Sequence, residues 1–141
     1  MRKLLFFTTL LLCAIGAFAQ NFDLPCGNLN YKPEVQTVLL YVDGNQLNDP
    51  IIPLEDMMGR LTLSFDVIDG EGEVLNYTFI HCSHDWQPTD LQRMQYASGF
   101  ESDRLDDYAF SRNTLIEYVN YHLKFPNEDM MPLVSGNYLL I

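Results

Sequence analysis

Basic residues are scarce in this sequence. Eight Lys and Arg stand against 19 Asp and Glu, for a formal net charge of −11. Nucleic acids are held mainly by Lys and Arg on phosphates, so a generic nucleic-acid binder is excluded. The same imbalance argues against docking on anionic lipid. Beyond residue 19 there is no long apolar run, whereas a membrane-spanning helix needs about 20 such residues. Cys and His number three each. They show no paired spacing of the kind that zinc fingers use. Gly-x-Ser-x-Gly, a phosphate-cradling glycine loop and a dinucleotide fingerprint are all missing, which removes the common signatures of hydrolases, nucleotide enzymes and dehydrogenases. There is no internal repeat, no low-complexity stretch and no long amphipathic helix.

What the chain does have begins at its start. Arg2 and Lys3 form a positive n-region, Leu4 to Phe18 an apolar core, and Ala17-Phe18-Ala19 a small-x-small cleavage site. These are the three parts of a secretory signal over residues 1–19, with Gln20 as the expected mature start. A lipoprotein would use Cys13, but the bulky Leu12 before it hinders the close approach that the peptidase needs. Cleavage leaves 122 of the 141 residues and moves the net charge from −11 to −13. That length can bury one core. An acidic surface of this kind is either a solvated face or a field that steers toward a basic partner.

Residues 20–34 read as an extended leader punctuated by Pro25, Gly27 and Pro33. Val35 to Val42 is a candidate strand. Turn signals follow at Asp43-Gly44-Asn45-Gln46 and Asn48-Asp49-Pro50. Pro50 and Pro53 keep Ile51 and Ile52 out of a central strand. Leu61 to Ile68 alternates, with Leu61, Leu63, Phe65 and Val67 on one face, the period of a half-buried strand. After Asp69-Gly70-Glu71-Gly72-Glu73 the chain returns over Val74 to Cys82, with Tyr77, Phe79 and His81 on one side. The spacing predicts a β-hairpin over 61–82.

Residues 83–113 lack periodicity and read as a long connection with its own aromatic anchors. Ser83 to Pro88 predicts a structured turn, and Thr89 to Met94 one or two helical turns with Thr89 as N-cap. Thr114 to Phe125 predicts a strand with Leu115, Val119, Tyr121, Leu123 and Phe125 on one parity. Asn127 to Pro132 reads as a loop, and Gly136-Asn137 turns into a last strand. Short strands separated by turns predict an all-β chain, an antiparallel β-sandwich of immunoglobulin or fibronectin III type over 35–141. The apolar run up to Ile141 reads as a strand still in progress, as expected of the first domain of a longer chain.

Candidate chemistry is thin. His81, Cys82, His84 and Asp85 crowd together, but His81 and Cys82 point to opposite faces of one strand, so no metal is expected. Ser83, His84 and Asp85 are adjacent and cannot aim at one another as a triad must. No catalytic residue and no cofactor are expected. Cys26 and Cys82 survive cleavage and could bridge in an oxidising compartment, closing a loop of more than 50 residues, or stay two separate buried thiols. Such a bridge would add about 4 kcal/mol in the loop-entropy model. Trp86, Tyr96, Phe100 and Tyr108 could stack on sugar rings, as in a carbohydrate-binding module, or plug the long connection onto the sandwich.

An ordered set of segments carries a resemblance. It comprises His81-Cys82-Ser83-His84-Asp85-Trp86-Gln87-Pro88-Thr89-Asp90-Leu91, Gln95 to Phe100, and Ser111 to Thr114 with Tyr118 to Tyr121. Phe125-Pro126-Asn127 and Ser135 to Tyr138 complete it. In this order and spacing, from about Val35 onward, the chain resembles the N-terminal domain of the Type IX secretion system plug protein family. It departs at Ser83 and His84, where the family has Asn or Asp and then Ala, and at Arg112, where it has Phe. The resemblance implies a periplasmic, non-enzymatic protein several times longer than this chain. Its expected partner is the large outer-membrane β-barrel translocon of that system, whose periplasmic mouth it seals while no substrate is engaged. It implies no cofactor and no insertion into the membrane. Binding energy in protein contacts concentrates in a few aromatic and Arg anchors, which makes Trp86, Tyr96, Phe100 and Arg104 the expected contact residues.

Overall fold

The computed structural model describes residues 32–141 except Gly59. The predicted signal, most of the leader and Cys26 lie outside the described residues. Strands β1 (Val35–Val42) and β2 (Leu61–Ile68) occur with the expected bounds. They are followed by β3 (Leu75–Tyr77), β4 (Phe79–Cys82), β5 (Ala97–Gly99) and β6 (Asp103–Leu105). Then come β7 (Tyr108–Phe110), β8 (Tyr118–Phe125), β9 (Met130–Pro132) and β10 (Asn137–Leu140). The fold is all-β, and every pairing is antiparallel. A four-stranded sheet runs β1-β2-β8-β7, and the remaining strands form the ladders β4–β10, β3–β6 and β5–β9.

The predicted hairpin over 61–82 does not form. β2 pairs with β1 on one side and β8 on the other, so both its edges are filled. The chain crosses through the 69–74 loop instead, and β3 and β4 join other partners. The parity was legible all the same: Tyr77, Phe79 and His81 are buried. In β8, Val119, Tyr121, Leu123 and Phe125 are buried as the alternation requires. Leu115 and Ile116 precede the strand and stay outside, exposed.

The core lies between the inner face of the sheet and the ladders, an arrangement consistent with a β-sandwich. Leu61, Val119, Tyr121, Leu123 and Phe125 come from the sheet, and Tyr77, Phe79, Leu105, Ala97 and Met130 from the ladders. Rings bridge the two layers. Phe79 meets Phe125 of the sheet edge-on at 5.1 Å, and within its own ladder it meets Tyr138 at 5.6 Å. Phe65 stacks on Tyr121 at 5.2 Å within the sheet. Full burial of side chains this size contributes about 1.5–3 kcal/mol each, so this layer dominates the stability of the domain.

The long connection 83–113 is more ordered than its composition suggested, since β5, β6 and β7 all lie within it. Its helical turn is Arg93–Tyr96, not Thr89–Met94. Gln92 is the N-cap, with a reciprocal Gln92–Gln95 capping box. Thr89 is engaged elsewhere, its hydroxyl 2.8 Å from His81 Nδ1. Residues 127–132, expected as loop, supply β9. The outer edge strand β1 carries one extra residue between Gln36 and Leu39, with Thr37 at φ 53°. Such a bulge blunts an edge that would otherwise invite pairing.

Candidate functional site

The turn after β4 is built by its own backbone. Ser83 N–H donates to Gln87 O (2.9 Å) and Trp86 N–H to Ser83 O (3.1 Å). The Ser83 hydroxyl lies against the Asp85 carboxylate and holds that carboxyl below its usual range. Trp86 stands at the apex with φ 61° and is 46% exposed. Phe100 follows Gly99 at the end of β5. Its N–H donates to Asp129 O at 2.8 Å, and its ring is 62% exposed. Arg104 is exposed in the middle of β6, opposite Asn76.

Tyr96 is a correction. Only 8% exposed, it packs among Phe79, His81 and Tyr138. It anchors the helical turn to the core. Tyr108 is also partly withdrawn, tilted against Tyr121 at 5.5 Å. Of the four aromatics considered for sugar stacking, Trp86 and Phe100 are exposed.

The cation that organises this region is Arg93, not Arg104. Its guanidinium lies 4.8 Å over the Phe79 ring. It donates to the carbonyls of Phe79 (3.2 Å) and Phe100. One planar side chain thereby ties the helical turn, β4 and the start of the 100–102 loop together, as a guanidinium fork can and a lysine cannot. The sequence offered a partial signal for this turn in the Gln-x-x-Gln spacing at Gln92 and Gln95.

Both ring nitrogens of His81 face protein groups: Nδ1 the Thr89 hydroxyl, and Nε2 the Ser135 carbonyl at 3.4 Å. Cys82 is buried beside it. Among the described residues no group of three or more His, Cys, Asp or Glu is placed to hold a metal ion. A shallow cavity of about 480 Å³ on the outer side of the sheet includes Asp66, Phe110, Arg112, Tyr118 and Asn120 in its lining. Within it Asn120 Nδ2 donates to Asp66 at 2.7 Å, so the two groups occupy each other.

Polar order inside the core centres on Tyr77. Asn127 donates to its phenol at 2.7 Å, and the phenol donates to Asp103 at 3.0 Å. Burial, with Asp103 nearby, pushes the phenol up to about 12. Burial also raises Tyr121 and Tyr138. Each phenol therefore favours folding fully below the unfolded tyrosine value of about 10 and loses that contribution as pH climbs through its folded value. The urea midpoint should hold steady to about pH 9 and fall between about pH 10 and 12. A midpoint that stays flat across that window contradicts this account.

These features describe an antiparallel all-β domain with an aromatic, partly exposed connection. The family model for the Type 9 secretion system plug protein 1st domain matches residues 35–141. The chain belongs to that family. A crystal structure of a hypothetical protein from Parabacteroides merdae is similar, with 31% identity and a TM-score of 0.72. The match covers 77% of this chain and 27% of that one, so this chain spans about a quarter of its solved relative. No curated protein matches. Membership links the chain to type IX secretion and to the cell envelope, and the family is a secretion-system plug domain, not an enzyme family. No helix among the described residues is long and apolar enough to cross a membrane.

Proposed function

We propose that this chain is a non-enzymatic periplasmic plug domain that binds and seals the periplasmic opening of the Type IX outer-membrane translocon. The observation that carries the reading is the family match over residues 35–141. Export would use the signal over residues 1–19, removed after Ala19. An immunoglobulin- or fibronectin III-like sandwich gives such a seal a rigid body with a wet surface. Trp86, Phe100 and Arg104 are the contact residues, each exposed and each held on an ordered backbone. Tyr96 supports them from the core.

The test is affinity capture of the full-length protein from its native envelope in mild detergent, with mass spectrometry of the companions. Recovery of a very large outer-membrane barrel is expected, and Trp86→Ala with Phe100→Ala should reduce it at least tenfold, since aromatic anchors of this kind cost about 2 kcal/mol or more each. Retention on a glycan column with no protein companion would overturn the reading in favour of a carbohydrate-binding module.

A further inference from the structure

Residues 54–58, between β1 and β2, and Met131 of β9 line a cleft. It is about 240 Å³, lined by Leu54, Glu55, Asp56, Met57, Met58 and Met131. Three of the six are methionines. Strand alternation explains why Met131 is available: Met130 and Pro132 are buried, while Met131 and Leu133 turn away from the core. Ser98 pairs with Met131 across the ladder. Leu54, Met58 and Leu133 are exposed. Single exposed apolar side chains are ordinary, but an apolar cleft continued by neighbours marks a binding surface. Thioethers suit such a surface because they repack around differing shapes.

Its rim is acidic. Glu55 and Asp56 line the cleft. Asp56 is held by Arg60 at 2.6 Å, whereas Glu55 makes no ion pair among the described residues. We infer that this cleft docks a basic amphipathic segment of a protein partner, its apolar side chain seated among Met57, Met58 and Met131 and its Lys or Arg against Glu55. A second copy of this chain, at −13 once the signal is removed, is repelled. An anionic lipid surface is repelled likewise. The inference does not depend on the translocon reading, and either can fail without the other.

The experiment uses the full chain with ¹³C-methyl methionines, titrated with a synthetic Leu-Lys amphipathic peptide. Matched peptides with Glu for Lys, or Ser for Leu, are the comparisons. Methyl shifts are expected at Met57, Met58 and Met131. They are not expected at Met94, which is exposed but lies outside the cleft. Glu55→Lys and Met58→Gln, both in the exposed loop, should each weaken binding at least tenfold. Equal shifts at Met94, undiminished binding in both variants, or equal binding of the Glu peptide would each overturn the proposal. So would the same methyl shifts arising from self-association on concentrating the chain alone.

Discussion

Gly99→Ala should unfold or nearly unfold this domain. Gly99 closes β5 at φ 87° and pairs with Met130 of β9. A Cβ placed there would lie 2.7 Å from the Asp129 carbonyl carbon and closer still to its oxygen. Those are backbone atoms, and they cannot swing aside as the end of a long side chain can. The same carbonyl accepts the Phe100 N–H at 2.8 Å. Relief therefore requires β9 to move, and β9 carries Met130, which is fully buried. The cost joins three terms: the left-handed backbone, a lost hydrogen bond and a disturbed core. Together they should exceed about 4 kcal/mol, the range in which single substitutions are diagnostic of such a defect.

Gly44 supplies the control. Its φ is 86°, the same region, but a Cβ there meets nothing within 4 Å. Gly44→Ala should cost only the backbone term of about 1–2 kcal/mol. Urea denaturation of the two variants separates conformation from collision. If they lose equal stability, the contact with Asp129 has no energetic weight.

Legibility in the sequence followed the length of each element. Eight-residue strands such as β2 display their alternation several times over, so their existence and inward faces could be read. Their partners could not, because a period of two says which face is apolar and nothing about which strand lies alongside. That is why 61–68 and 74–82 looked like a hairpin while both edges of β2 were claimed elsewhere. Strands of three residues, such as β5, β6, β7 and β9, are too short to show a period. They form because long-range partners satisfy their backbone groups.

The same distinction governs the candidate surface. Residue type marked Trp86, Tyr96 and Phe100 alike as anchors, since aromatics serve cores and interfaces equally well. Only the packing of the helical turn against Phe79, His81 and Tyr138 withdrew Tyr96. Arg93 carries no such mark: its partners are the Phe79 ring and two backbone carbonyls, which no side-chain pattern announces.

Phe79→Ala should be the other severe change, and it tests whether the two layers share one core. Phe79 is fully buried and touches Tyr96, Phe125 and Tyr138 edge-on. Truncation to Ala leaves a cavity that these three rings must line, at a cost of about 3–5 kcal/mol. It also removes the ring beneath Arg93, whose buried Nε finds no hydrogen-bond partner among the described residues. A domain of this size has about 5–15 kcal/mol in all, so the variant should be marginally stable. Phe100→Ala provides the contrast. Its ring is exposed, and the change should stay within about 0.5 kcal/mol, as surface substitutions do. A variant of Phe100 that keeps its urea midpoint yet loses capture of the outer-membrane barrel would locate the defect in the contact. If Phe79→Ala proves as mild as Phe100→Ala, the ladders do not share a core with the sheet. Phe100→Ala as severe as Phe79→Ala would make that ring a structural anchor and remove it from the contact surface.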